Sequence, residues 1–234
     1  MSKTEFRENL AKFGVEITDT MLEQYHTYAV LLKEWNEKMN LSGITEEDEV
    51  FTMHFYDSVL PFAKLENKDA VVSFADVGAG AGFLSLPIKI AYPNLKVTII
   101  EPLAKRCTFL KEVVSVLGLK DVEIVNGRAE DYAQSHRESF DLVSARAVAN
   151  LNMLSELCIP LVKENGIFLA MKGSSGREED ENAAKALKVL GVKKEKIIEE
   201  VVGEHTHINI YYRKVSKTPT KYPRAFAKIK KNPL

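Results

Sequence analysis

Apolar positions recur at helical spacing through residues 1–65 and gather into short continuous runs beyond them. Phe6, Leu10 and Phe13 lie three and four apart, a spacing that aligns side chains on one helix face. A longer stripe follows Thr18, a candidate N-cap: Met21, Leu22, Tyr25, Tyr28, Ala29, Leu32, Trp35 and Met39. Asn40-Leu41-Ser42-Gly43 interrupts it with residues that favour turns. Thr45-Glu46-Glu47-Asp48 then reads as a cap with acids in the first turn, where the helix dipole favours them. The next helix carries Val50, Met53, His54, Val59 and Leu60 up to Pro61.

From residue 71 the period changes. Strand-like runs at 71–77, 95–101, 121–126, 140–145 and 166–171 alternate with helix-like stretches at 83–92, 103–117, 150–163 and 177–190. Strands that are apolar throughout are buried on both faces, so the pattern predicts an α/β fold: a Rossmann-like, doubly wound, mostly parallel sheet. The last two runs, 196–203 and 206–213, are joined through Gly203-Glu204-His205 and predict a terminal antiparallel hairpin. The chain therefore divides into an N-terminal helical extension (1–65), an α/β core (66–213) and a C-terminal tail (214–234). No internal repeat is visible.

Composition adds constraints. With 45% hydrophobic and 28% charged residues, the chain reads as globular. Its first residues are charged throughout, unlike a secretory signal, and no apolar run approaches the ~18 residues of a membrane span. A cytoplasmic protein, with no membrane role, is expected. Cys107 and Cys158 lie on apolar helix-like faces, as buried thiols do. His205 and His207 alternate in a strand-like segment without further ligands at zinc spacing, so no metal is expected. Nothing requires more than a monomer.

The formal net charge of −1 conceals a gradient. Residues 1–70 hold seven Lys/Arg against fourteen Asp/Glu, whereas residues 213–234 hold eight cations and no acid. With Pro219, Pro223 and Pro233 among those cations, the tail is expected to have little fixed structure alone and to meet a polyanion.

The chemistry is concentrated at Val71–Phe83, VVSFADVGAGAGF, where a buried run ends in Asp76 and three alternate glycines follow. A strand, a glycine turn and a helix start form the usual entrance to a nucleotide-type site, with dinucleotides, flavins and S-adenosylmethionine as candidates. Gly78 and Gly80 fit the dinucleotide fingerprint, but Phe83 stands where its third glycine belongs. Asp76 beside the turn would repel a pyrophosphate, whereas an ammonium and a sulfonium tolerate it. Methyl transfer is favoured over hydride transfer. Glu101, at the end of the second strand, suits ribose hydroxyls, although a solvated strand-end acid would look the same. Ala129, Glu130 and Asp131 follow the third strand, where adenine is read in such folds. Arg146 ends the fourth, at the edge where open α/β sheets bind ligands.

Taken together, these residues resemble the glucose-inhibited division protein B family, the bacterial 16S rRNA guanine-N7 methyltransferases. The likeness runs through NLSGIT (40–45), HFYDS (54–58), DVGAGAGF (76–83), SLPI (85–88), KR-x-x-FL (105–110), RAE (128–130), ARAVANL (145–151) and CIPLVKENG (158–166). KTPTKYPR (217–224) is similar to tails of members from Gram-positive bacteria. The resemblance implies a class I methyltransferase that uses S-adenosylmethionine to methylate N7 of guanine 527, in the 530 loop of small-subunit rRNA. Carried over by position, the donor would meet Gly78, Phe83, Ala129, Glu130 and Arg146, to which the reading of the turn and of the second strand adds Gly80 and Glu101. Departures are Leu84 for a common proline, Met53 for a common basic residue, Ser42-Gly43 for Thr-Ala and Glu101 for Asp.

Guanine N7 has a lone pair and no proton, so no residue is expected as general base, neither Asp57 nor Glu130. Arg146 is the candidate for positioning the target. His54, Asp57, Ser58 and Lys172 with Gly173-Ser174-Ser175-Gly176 are expected around the cleft mouth.

Overall fold

The computed structural model describes residues 1–234. Its N-terminal part is helical: α1 (Lys3–Ala11), α2 (Asp19–Asn36), α3 (Glu47–Val50), a π-helical turn over Phe51–Tyr56, and α4 (Asp57–Ala63). The core follows as β1 (Ser73–Val77), α5 (Ser85–Ala91), β2 (Lys96–Glu101), α6 (Ala104–Val116), β3 (Val122–Asn126) and α7 (Ala129–Tyr132). It continues with β4 (Phe140–Arg146), α8 (Leu151–Cys158), β5 (Val162–Lys172), α9 (Gly176–Asn182), α10 (Ala184–Leu190), β6 (Val192–Val202) and β7 (His205–Lys214). A last helix, α11 (Phe226–Lys231), closes the chain.

The seven strands lie in the order β3-β2-β1-β4-β5-β7-β6. β1 to β5 run parallel, and β7 pairs antiparallel with both β5 and β6, so the expected hairpin is present. The chain winds outward from β1 to β3, then restarts on the other side at β4. Beyond the carboxyl ends of β1 and β4 the crossovers diverge, leaving the crevice where open sheets hold ligands.

The two sheet faces bury separate cores. On one, α1, α2, α4, α5 and α6 pack Phe6, Tyr25, Tyr28, Phe51, Phe55 and Phe109 against Phe74 and Ile99. Tyr25 and Phe55 lie 5.1 Å apart, and Phe6 meets Phe51 edge-on at 5.2 Å, so the helical extension is part of this core. Truncating one such ring to alanine costs about 3–5 kcal/mol. Tyr28 also donates to the carbonyl of Ala81 at 2.5 Å, and Tyr25 to that of Pro87 at 2.6 Å. The stripe read from α2 thereby props the glycine turn from behind. On the other face, α8, α10 and α11 cover Val143, Phe168 and Tyr212.

Several expectations need correction. Thr45 is not the cap of α3: that position belongs to Glu46, and no side chain bonds there. The stretch 177–190 is two helices, because Ala183 takes φ −87, ψ −1 and α10 restarts from it. The tail is folded. Arg224 grips the fully buried Glu156 of α8 through Nε and Nη2 at 2.8 and 2.6 Å. Arg137 donates to the carbonyls of Thr218 and Tyr222, Lys214 is buried beside Glu138, and Ile229 is fully enclosed. Three of the eight tail cations, Arg213, Lys214 and Arg224, are thus used internally in ion pairs. Lys217, Lys221, Lys228, Lys230 and Lys231 remain exposed.

Candidate active site

Gly78, Gly80 and Gly82 all take positive φ (70°, 61° and 79°), which side chains disfavour. Their surroundings differ. A Cβ on Gly82 would lie 2.6 Å from Leu110 and 2.8 Å from Leu86, so this glycine lets α5 and α6 close on the turn. It does the packing that the dinucleotide fingerprint assigns to its third glycine, one position earlier than Phe83. A Cβ on Gly78 would strike Val148 at 2.8 Å, from the loop after β4. Gly80 faces open space, with Arg106 the nearest group at 4.0 Å.

Glu101 ends β2 with its side chain almost wholly buried and accepts the Gly80 N–H and the Leu103 N–H, both at 2.9 Å. Each carboxylate oxygen therefore keeps acceptor capacity at the mouth of the turn. Beneath it, Asp76 accepts the Ser85 N–H at 3.2 Å, while its other oxygen is buried without a partner. Burial pushes the Asp76 carboxyl up to about 6. These acceptors suit a ligand that brings hydroxyl and cationic groups, and they oppose a pyrophosphate. Across the β2 edge, Ala129 and Glu130 open α7; both are buried, and burial raises the Glu130 carboxyl above its ordinary range. Arg128 packs over the ring of Phe226, 4.5 Å from its centroid, so the folded tail abuts this rim.

Arg146 ends β4 and is not free. Its Nη1 donates to Asp57 at 2.9 Å and lies 3.2 Å from both the Met53 carbonyl and the Ser58 hydroxyl. Its Nη2 donates to Nδ1 of His54 at 2.9 Å. Because a guanidinium only donates, that His54 nitrogen accepts, and Nε2 bears the proton toward the Ser42 hydroxyl at 2.9 Å. Burial, then the Arg146 charge, lowers the His54 imidazole to about 4, so the ring is neutral at physiological pH. It stacks on Phe83 at 3.8 Å with 8° between the planes. Phe83, placed by sequence with the methyl donor, thus also supports the arginine cluster. The other Asp57 oxygen meets Nδ1 of His207, from β7, at 2.8 Å.

This cluster borders a cavity of about 710 Å³ walled by His54, Asp57, Arg146, Lys172, Gly173, Ser174, His205 and His207. Of the residues expected at the cleft mouth, Ser58 is instead fully buried, donating to a main-chain carbonyl, His54 or Phe83. Lys172 is largely committed as well: it donates to the Ala149 carbonyl and pairs with Glu179, both at 2.7 Å. Glu179 also accepts the Leu151 N–H, so the loop from Ala147 (φ 57°) to Asn150 is strapped over the glycine turn.

Sequence reasoning expected His54 at the cleft but missed two features, the local helix form that brings it there and the role of His207. The π-helical turn, a form often found at functional sites, carries Met53 and His54 into the cluster. His207 was weighed only as a metal ligand, since nothing local to β7 announces a carboxylate 150 residues upstream.

The chain matches the family profile of rRNA small subunit methyltransferase G (GidB) over residues 21–209. It is 48% identical to ribosomal RNA small subunit methyltransferase G of Listeria monocytogenes serotype 4b over 96% of this chain and 95% of that one. It is also 48% identical to the protein of that name from Brevibacillus brevis, over the whole of both. Among solved structures, it is similar in fold to the 16S rRNA (adenine(1408)-N(1))-methyltransferase of Catenulisporales acidiphilia, with a TM-score of 0.52 and 15% identity over 68% of this chain and 90% of that one.

Proposed function

The chain belongs to the rRNA small subunit methyltransferase G (GidB) family, and on that premise we propose that it transfers the methyl group of S-adenosylmethionine to N7 of guanine 527 in 16S rRNA. One observation supports this reading above the others. The acceptor-rich glycine turn ends in Phe83, and Phe83 stacks on the histidine that receives Arg146 at the wall of a cavity roomy enough for a nucleotide.

In this reading Gly78, Gly80, Phe83, Glu101, Ala129, Glu130 and Arg146 hold the methyl donor. Glu101 accepts from the ribose hydroxyls, Glu130 and the α7 backbone meet adenine, and Gly80 gives open approach. S-adenosylmethionine supplies a methyl group on a sulfonium, which needs no activation by the protein. With the donor bound, the guanine N7 lone pair would displace the thioether from the methyl carbon in line, and with no proton to move no residue would act as a base. The protein's part is alignment, worth roughly 7–11 kcal/mol at best.

Positive charge passes from sulfur to purine as the bond forms, so an unpaired cation beside N7 would oppose the reaction. Asp57 balances Arg146, leaving a planar donor that can grip a base edge with little net charge. Neutral His54 adds none. The five exposed tail lysines meet RNA phosphates outside the cleft. The enzyme acts in the cytoplasm, without a metal ion, as a monomer.

Incubation with methyl-labelled S-adenosylmethionine and either small subunits or naked 16S rRNA tests the reading. Label on one guanine N7 is expected. Label on another base position overturns the target, and no transfer to RNA overturns the function.

A further inference from the structure

The terminal hairpin is placed to do more than finish the sheet. His207 reaches from β7 to Asp57, and Asp57 holds Arg146 with its other oxygen, so three residues from three distant segments form one chain of contacts. Asp57 is 3% exposed at the side chain, and neither oxygen can turn to water when a partner is lost. Without His207, the carboxylate has only Arg146 to satisfy both oxygens, and rotating toward it would draw the guanidinium out of its present plane.

We propose that His207 is a positioning residue of the transfer site: through Asp57 it fixes the orientation of Arg146 and sets the charge of the cavity wall. This rests on the reading of that cavity as the place where the target base is held. With His207 neutral the triad carries no net charge; with His207 protonated it carries +1 and attracts an anionic strand. The imidazole is raised above its ordinary value chiefly by its hydrogen bond to Asp57, against the opposing effect of burial. Its Nε2 is buried without a partner.

Other charged groups face His207. Glu200 lies opposite on β6 but is occupied by Lys64 and Asn209. Glu204 in the hairpin turn and His205 at the start of β7 flank it, while Lys172 and Glu179 pair with each other across the cavity. His54 is turned to Arg146 and Ser42. Asp57 is thus the carboxylate in contact, and it is the one that touches Arg146.

The test uses the full chain in two measurements. The first follows the Arg146 side-chain N–H and the His207 ring by NMR across pH. Arg146 is expected to shift with the His207 titration midpoint, and Asp57→Asn should lower that midpoint and abolish the shift. An Arg146 signal indifferent to His207 overturns the proposal whether or not the protein methylates RNA. The second measures transfer to RNA, with folding checked by thermal melting. His207→Leu should lower kcat about tenfold. His207→Asn keeps an N–H for Asp57 and should recover most of the rate. It cannot titrate, so it should also lose the rise in KM for RNA expected of the native enzyme as pH climbs through the His207 midpoint. A Leu variant with native kcat and pH profile, or an Asn variant that keeps the rise in KM, sinks the idea.

Discussion

Arg146 donates to Nδ1 of His54 at 2.9 Å, so the imidazole is an acceptor in the folded protein and must lose that bond to take up a proton there. The ring is lowered from 6.5 to about 4, so the unfolded chain binds more protons between those values and stability falls as pH falls. By pH 5 the loss from this residue reaches about 2 kcal/mol. Urea unfolding at pH 7 and pH 5 should show it, and His54→Gln should remove that part of the difference. His207 runs the other way, its contribution complete below pH 6.5 and lost as pH rises through its elevated value.

Glu101 should govern affinity for the methyl donor. It accepts two backbone N–H groups now, and in the proposed complex its remaining lone pairs take the ribose hydroxyls. Hydrogen bonds to a charged acceptor contribute about 1.5–3 kcal/mol each, so Glu101→Gln should weaken S-adenosylmethionine binding about 10- to 100-fold. Calorimetric titration reads this directly, and an unchanged affinity would remove Glu101 from the donor site.

The glycines separate fold from function. Gly82→Ala forces a Cβ against Leu110 and Leu86 at positive φ and should destabilise by about 1–3 kcal/mol. Gly80→Ala carries backbone strain but meets no atom closer than 4.0 Å, so its main effect should fall on donor affinity. Melting temperature and titration, measured on both variants, distinguish the two roles. Equal loss of stability in both would refute the assignment.

The tail makes two opposite predictions. Lys228, Lys230 and Lys231 are exposed, so changing all three to Gln should leave stability alone and reduce the log–log salt slope of RNA binding by about 2. Arg224→Ala strands the buried Glu156 and should cost about 3 kcal/mol, near the low end for a broken buried pair because the arginine is partly exposed. A native slope in the triple-Gln variant would leave those lysines without an RNA role.

Much of this was legible in the chain. Period alone separated the helical extension from the alternating core, because burial on both faces makes parallel strands continuous apolar runs. The glycine turn was legible because its positive φ restricts residue choice locally, and Glu101 because it ends the strand beside that turn. The fates of the basic tail residues were not. Lys214 and Arg224 look like Lys228 in sequence, and only packing against Glu138 and Glu156 sets them apart. The same holds for Arg146, whose sequence position gives the strand end but not its partners on α4, on the π-helical turn and, through Asp57, on β7. Contacts between segments this distant leave no local pattern.

One feature of the sheet bears on how the protein is made. Synthesis delivers β6 before β7, yet β7 lies between β6 and β5. A nascent chain that has emerged only to Val202 holds β5 with an open edge and β6 with no strand to join. The 10 residues of β7 then take on the order of a second to add, and only they satisfy both edges at once. During that interval the unfinished enzyme carries an adhesive strand edge of the kind that invites pairing between chains. A ribosome stalled in the β6–β7 turn should therefore yield an insoluble fragment, whereas a chain that includes all of β7 should be released with β5 and β6 already joined through it.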